Sequence, residues 1–399
     1  MWQNIEAAPV DSIFGLTDAF KKDQNPKKVN LGVGVYKDDT SNTPVLNCVK
    51  AAEKILLEKE NSKSYLPISG DPVYAENVQK LLFGESSEVI SSGRAATAQA
   101  PGGTGALRVG GDLLKKFYPG AKVWISSPTW ANHKGVFITA GFELAEYEYY
   151  NDETKDVDFA SMTARLKTIP AGDIVLLHAC CHNPSGVDLN NEQWEKIADI
   201  SKEKGWIAFL DFAYQGFGES VDADRYSVEQ FAATGGDFFI ASSFSKNFGL
   251  YNERTGALTI VSPTAEQSAV AMSHLKSTIR VIYSNPPAHG GLVAATILSD
   301  PELYAQWLEE LGIMRDRIKA MRSALVDGLM KRGVEGDFSY ITRQRGMFSF
   351  SGLSSEVVDW LREHKSIYVV GGGRINLAGL TSENIDYVCD GIAEALSKQ

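Results

Sequence analysis

Cysteine is scarce in this chain of 399 residues: only Cys48, Cys180, Cys181 and Cys389 occur. A bridge between the adjacent Cys180 and Cys181 would be strained, and the other two lie far apart in sequence. No disulfide framework is expected, and such usage fits a reducing, cytoplasmic compartment. No run of 18 apolar residues occurs, so no membrane-spanning helix is expected. Positive charge is not in excess. Lys plus Arg number 39 and Asp plus Glu number 50, a net charge of −11, which lacks the footprint of a nucleic-acid binder but leaves room for a local basic pocket. Glu6, Asp11 and Asp18 precede the first basic residue, Lys21, the reverse of the charge order of signal and transit peptides. The six histidines show no H-E-x-x-H spacing, no G-x-S-x-G elbow is present, and no metal site is expected.

What is there reads as a globular chain, 44% hydrophobic and 22% charged, long enough for two or three domains. Apolar runs at 29–36, 122–128, 173–181, 206–214, 237–245 and 256–261 read as strands. Most are continuously apolar, as strands covered on both faces are. Between them lie helical patterns. Over 192–204, Trp194, Ile197, Ala198 and Ser201 share a face, and Gly205 stands where a C-terminal cap belongs. The alternation predicts a doubly wound α/β sheet with ligands at the carboxyl ends of its strands. Over 303–329, Trp307, Leu311, Met314, Ile318, Met321 and Leu325 describe one long amphipathic helix. Arg315, Arg317, Lys319 and Arg322 are expected on its solvated face. Short strands near 347–350 and 374–378 and a last helix through Ile385, Val388, Cys389, Ile392 and Leu396 suggest a second, smaller α+β domain.

Five segments could carry chemistry. In 100–117, Gly102, Gly103 and Gly105 surround Thr104 ahead of a helical pattern, and a helix N-terminus behind glycines can cradle an anion. It is neither a Walker loop nor a dinucleotide fingerprint, and a tight turn without ligand would look the same. In 242–256, Ser243 and Ser245 flank Lys246 at the end of an apolar strand, with Arg254 eight residues on. Partial desolvation there would lower the amine's pKa and suit it to Schiff-base chemistry, although an isolated loop lysine is ordinarily a surface group. Asp211 closes the run WIAFL, where a carboxylate needs a cationic partner or serves as a cap, and Tyr214 follows. In 176–186, His178, Cys180, Cys181 and His182 invite a metal reading. Adjacent cysteines on a strand point to opposite faces and cannot easily share one zinc, so Asn183, held in a turn before Pro184, is the more useful residue. Trp130 in SPTWANH could stack on a flat ligand or serve the core.

Together these segments resemble the pyridoxal-phosphate aminotransferases of fold type I, and among them the aspartate and aromatic aminotransferase subfamily. The resemblance rests on NLGVGVYKD (30–38), YLPISGDP (65–72), GGTGAL (102–107), PTWANH (128–133), CCHNPSG (180–186), DFAYQGF (211–217), SKNFGLYNERTG (245–256), YSNPPAHG (283–290), GMFSFSGL (346–353) and GRINLAGL (373–380). It implies a mostly parallel sheet sandwiched by helices in a large domain at 48–312. A small α+β domain would combine 15–47 with 313–399, behind an N-terminal arm at 1–14.

It also implies roles. Lys246 would hold pyridoxal 5′-phosphate covalently and then move the substrate Cα proton. Asp211 would pair with the ring nitrogen and keep it protonated. Tyr214 and Asn183 would hydrogen-bond the ring oxygen, and Trp130 would stack on the ring. Gly103, Thr104, Ser243, Ser245 and Arg254 would hold the phosphate, and Tyr65 would reach the phosphate of a neighbouring subunit, so a homodimer with shared sites is implied. Arg374 would clamp the α-carboxylate, Arg280 would reach the substrate's side-chain carboxylate from the other subunit, and Gly34 would lie against the substrate and take part in domain closure.

The implied reaction passes the amino group of aspartate to 2-oxoglutarate, with an aromatic aminotransferase as the alternative. Asn247 and Phe248 favour the aspartate side, while LPISG and SPTW are also like the aromatic members. Ser185, Thr255, Gly372 and Val33 depart from the usual residues, the last two beside the substrate. Two other classes stay open. A cofactor-free lyase would use Lys246 directly on a carbonyl, leaving the GGTG turn and Arg254 idle, and a regulator would have kept the fold without activity.

Overall fold

The structure, a computed structural model, describes residues 2–8 and 12–398. The arm expected at 1–14 lies in part outside the described residues. Within them, Trp2–Asn4 form a short 3-10 turn and a helix opens at Ser12. The chain divides into two compact units, Pro44–Asp316 and Met1–Thr43 with Arg317–Gln399.

The larger unit is built on a seven-stranded sheet. In chain order its strands are β1 (Ala95–Pro101), β2 (Lys122–Ser127), β3 (Glu143–Glu148), β4 (Ile174–His178), β5 (Ile207–Phe212), β6 (Phe238–Ser243) and β7 (Thr255–Val261). They lie in the order β1-β7-β6-β5-β4-β2-β3. All neighbours pair in parallel except β7, which runs antiparallel to both β1 and β6. β4 to β7 are buried along their whole length. This is why their sequences are continuously apolar: helices cover both faces. The helix Gly102–Phe117 lays Ala106, Leu107, Val109, Leu113 and Leu114 into a core that includes Phe209, Ala241 and Leu258. Each large aliphatic buried there contributes about 1.5–3 kcal/mol.

The helix Asn191–Lys204 starts in a capping box between Asn190 and Gln193 and ends at Gly205, whose φ of 73° is left-handed. That is the stop its sequence predicted. Two strands of the seven-stranded sheet went unpredicted. β1 is rich in alanine, with Thr97 its single β-branched residue, and β3 alternates like an edge strand.

The smaller unit holds two short two-stranded ribbons. Val29–Asn30 pair in parallel with Ile367–Tyr368, and Phe348–Phe350 pair antiparallel with Arg374–Asn376. The strand expected over 29–36 is therefore only two residues long, and the chain leaves it at Leu31. The long helix runs Pro301–Lys331, its first half in the larger unit and the rest in the smaller. The expectation of a solvated basic face on this helix holds for Lys319, which is exposed, and fails for the three arginines. Arg322 is only 2% exposed and donates to the carbonyls of Ile341, Arg345, Gly346 and Phe348. Arg315 donates to Gly216 O and Arg317 to Leu380 O. A guanidinium has five donors in a fixed fork, so one side chain can collect several backbone carbonyls. Among the described residues no helix is long and apolar enough to cross a membrane.

Candidate active site

The register of the parallel strands brings the chemistry together at one end of the larger sheet. Asp211, next to last in β5, pairs in register with His178 of β4 and Ala241 of β6. Its carboxylate is buried, and its Oδ2 lies 2.9 Å from His133 Nε2. His133 belongs to the helix Ala131–Thr139, and its Nδ1 is 2.8 Å from the Thr129 hydroxyl, which also stands 3.1 Å from His178 Nε2. Burial works to raise the Asp211 pKa. The hydrogen bond with His133 and the nearby Lys246 amine outweigh it and hold the carboxyl below its ordinary value.

Around this pair the rings are packed edge to edge. Trp130 meets His133 with centroids 5.1 Å apart, and His133 meets His178 at 5.1 Å. His182 lies beyond, stacked on Tyr149 at 3.9 Å and bonded to Ser126 and Ser185 hydroxyls at 3.0 and 2.7 Å. Burial pushes His178 down to about 3, and pushes His182 well below the ordinary histidine value. Cys180 and Cys181 follow the end of β4 rather than lying in it, and Cys181 has a φ of 52°. The buried Asn183 places its backbone N–H 3.4 Å from His178 Nδ1.

Lys246 follows β6, with its Nζ 4.7 Å from the centroid of the buried Tyr214 ring. Its amine is pushed down by burial and by the Arg254 charge, against an opposing pull from Asp211. A lowered amine pKa enlarges the neutral, nucleophilic fraction.

Beside it, the helix Gly102–Phe117 opens on buried Gly102 and Gly103, with half-buried Thr104 next and no acidic residue in the first turn. A Cβ on Gly102, whose φ is 72°, would fall 2.6 Å from Arg254 Nη2, and one on Gly103 would fall 3.1 Å from Ser243 Cβ. Arg254 Nη1 donates to Ser245 Oγ at 3.4 Å and to Tyr251 O at 2.9 Å, and Ser243 Oγ donates to Ser245 Oγ at 3.2 Å. Arg254 itself holds a left-handed φ of 53°, a conformation kept only where the surroundings demand it. Free helix amides, two hydroxyls and a guanidinium around a glycine gap form an anion cradle.

Tyr65 and Arg280 stand on a surface patch of the same unit. Tyr65 is 92% exposed, and Val281 and Ile282 are exposed beside Arg280. Arg280 donates to the Ser284 hydroxyl, Ser284 to Asn285 Oδ1 at 3.0 Å, and Asn285 Nδ2 to Leu66 O at 2.7 Å.

In the smaller unit, Arg374 is buried and donates from Nη2 to Gly32 O at 2.7 Å. Its guanidinium carbon lies 4.3 Å from the Phe348 ring centroid. A Cβ on Gly34 would fall 2.7 Å from Phe348 Cζ. Gly34 and Arg374 therefore both lie against the Phe348 ring.

A profile of the aminotransferase class I and II family matches residues 26–392. The chain belongs to that family. Aspartate aminotransferase of Salmonella typhi is 51% identical to this aminotransferase over 396 residues, covering 99% of this chain and all of its own. Among solved structures, the aromatic-amino-acid aminotransferase of Burkholderia pseudomallei, covalently bound to pyridoxal phosphate, is 51% identical, with a TM-score of 0.97 over 99% of both chains. The psychrophilic aromatic aminotransferase of Psychrobacter sp. B6, crystallised with aspartic acid, is 42% identical with a TM-score of 0.97, over 99% of this chain and 100% of its own.

Two residues of the candidate site carry little local signal in the sequence: His133 merely ends SPTWANH, and His178 reads there as a possible metal ligand. The signal was Asp211 itself, since a carboxylate closing an apolar run needs a donor. Which donor depends on strand register and not on local spacing.

Proposed function

We propose that this aminotransferase transfers the amino group of L-aspartate to 2-oxoglutarate, giving oxaloacetate and L-glutamate, in a ping-pong cycle on pyridoxal 5′-phosphate. The observation that carries the reading is the Lys246 amine, with its lowered pKa, standing over Tyr214 between a buried carboxylate and an anion cradle.

The residues fit that cofactor. The gap above Gly102 and Gly103, which a side chain would fill, suits a phosphate held by Gly103, Thr104, Ser243, Ser245 and Arg254. Asp211, kept ionised in a buried place, suits a protonated ring nitrogen. Trp130 would cover the ring, with Asn183 and Tyr214 donating to its oxygen. When bound, the cofactor supplies an electron sink for the bonds to the substrate Cα.

Lys246 then removes the Cα proton and returns it, acting as base and acid at one atom. Arg374 binds the α-carboxylate through its planar fork, and Gly34 lies against the substrate. Arg280 and Tyr65 serve the neighbouring subunit, Arg280 at the side-chain carboxylate and Tyr65 at the phosphate, so the active form is a homodimer. The exposed patch that Tyr65 and Arg280 share with Val281 and Ile282 supports this. Residues 44–316 form the cofactor-binding domain, and the remaining unit is the small domain. Four buried cysteines, none in a disulfide, suit a cytoplasmic setting.

An aromatic substrate is the second reading, favoured by the Burkholderia structure at the same 51% identity. Steady-state comparison of Asp, Glu, Phe, Tyr and Ala decides between them, and kcat/KM for Phe well above that for Asp overturns the first choice. Arg280→Asp is expected to weaken dicarboxylic substrates far more than aromatic ones, and uniform loss would count against its role. A visible absorption band abolished by Lys246→Ala excludes the cofactor-free lyase.

A further inference from the structure

Asp224 lies ten residues beyond Tyr214, outside every segment singled out in the sequence. Its carboxylate is buried, at 6% exposure. Oδ2 accepts the backbone N–H of Gly216 at 2.8 Å and of Gly218 at 2.9 Å, and Oδ1 accepts that of Glu219 at 2.9 Å. The Cys180 thiol stands 3.9 Å from Oδ2. The approach is so close that a Cβ on Gly218 would fall 2.6 Å from Oδ1.

All three amides belong to the loop that carries Tyr214 out of β5. The loop opens as a turn in which Phe217 N–H donates to Tyr214 O at 2.9 Å. Its other side is tied as well. Gln215 O accepts from Nδ2 of Asn247, the residue after Lys246, at 3.1 Å. Gln215 Nε2 donates to Leu81 O and Val221 O, and Gly216 O accepts from Arg315 Nη1 at 3.1 Å. The residue following Tyr214 is thus bonded to the residue following Lys246. The 4.7 Å between the Tyr214 ring and the Lys246 amine is a consequence of backbone held on both sides.

Burying a carboxylate is costly unless it is fully hydrogen-bonded. Successive loop amides satisfy this one, and in return it fixes the loop's shape. We propose that Asp224 is a positioning residue for the reaction: by gathering the Gly216, Gly218 and Glu219 amides it sets where the Tyr214 hydroxyl stands relative to the Lys246 amine. The inference rests on the proposed roles of Lys246 and Tyr214.

The test is a pH titration of the visible band of the purified holoenzyme, with the thermal midpoint recorded alongside. Tyr214 donating to the cofactor's ring oxygen stabilises the deprotonated form. Asp224→Asn lets the loop slacken and weakens that bond, so the absorbance midpoint is expected to rise by at least half a pH unit, about a threefold change in proton affinity. The same change in a Tyr214→Phe background is expected to add no further rise. A lowered thermal midpoint with an unmoved absorbance midpoint means a scaffold role only and overturns the proposal. So does an equal additional rise in the Tyr214→Phe background. If Asp224→Asn does not fold, Gly218→Ala presses on the same oxygen with the carboxylate intact, and an unmoved midpoint there overturns the proposal. Failure of the site reading is distinguishable, because the parent chain would then carry no titrating band.

Discussion

His133 Nε2 stands 2.9 Å from Asp211 Oδ2, although the two residues are 78 positions apart in sequence. The Thr129 hydroxyl bonds the other ring nitrogen of His133 at 2.8 Å, so the imidazole is fixed at both ends and presents Nε2 to the carboxylate. An imidazole fixed in this way orients the carboxylate. Asp211 is left with acceptor capacity for one more cation.

Replacing that carboxylate is the sharpest check on the site. Asp211→Asn keeps the shape but cannot hold a proton on a ring nitrogen. It is expected to leave pyridoxal phosphate bound while turnover falls by about 10²–10³-fold, the usual scale for losing one preorganised electrostatic contact. Stopped-flow half-reaction rates measure this directly, and rates equal to the parent's would end the assignment.

The buried histidines predict an acid-sensitive fold. His178 is pushed down to about 3 and His182 well below the ordinary value, so both are neutral in the folded chain. The unfolded chain binds their protons near pH 6.5, so it gains protons first as pH falls. Stability is independent of these groups above about pH 6.5 and is lost from there downward, for His178 until about pH 3. The slope is at most about 1.4 kcal/mol per pH unit for each histidine. Urea unfolding at pH 7 and pH 5 tests this, and His178→Asn should flatten the difference. Identical midpoints at the two pH values in the parent would contradict it.

Thr255 follows Arg254, the arginine proposed to hold the phosphate, where the resemblance leads one to expect an aliphatic residue. It is 1% exposed, and its Oγ1 has no hydrogen-bond partner. A buried hydroxyl without a partner is destabilising relative to a methyl of the same shape. Thr255→Val is therefore expected to raise stability by about 1 kcal/mol with turnover unchanged. A lower denaturation midpoint would count against this account of the position.

Much of this architecture was legible because its causes are local. Continuous apolar runs mark buried strands, and Asn190, Gln193 and Gly205 bracket a helix through bonds within a few residues of each other. Legibility failed where the cause is distant. The helix Asn47–Lys59 has no side-chain cap of its own at Leu46. Its first amides, Asn47 N and Cys48 N, are taken by Glu310 at 2.8 and 3.0 Å. Nothing near residue 47 announces that. Arg322 was expected in solvent because arginines opposite an apolar stripe usually are. It is buried because the chain from Ile341 to Phe348 brings it four carbonyls.

By itself the amino-acid order determined which groups stand at strand ends and helix starts: Lys246 and Asp211 after apolar runs, and Gly102 to Thr104 ahead of a helix. These are properties of neighbours along the chain, set by periodicity, glycine freedom and desolvation. Only the tertiary structure decided that His133 meets Asp211, that Arg254 closes the gap over Gly102, and that Asp224 gathers the Tyr214 loop. Such pairings depend on the register of strands far apart in sequence, and a hydrogen bond forms only where that register brings donor and acceptor within about 3 Å.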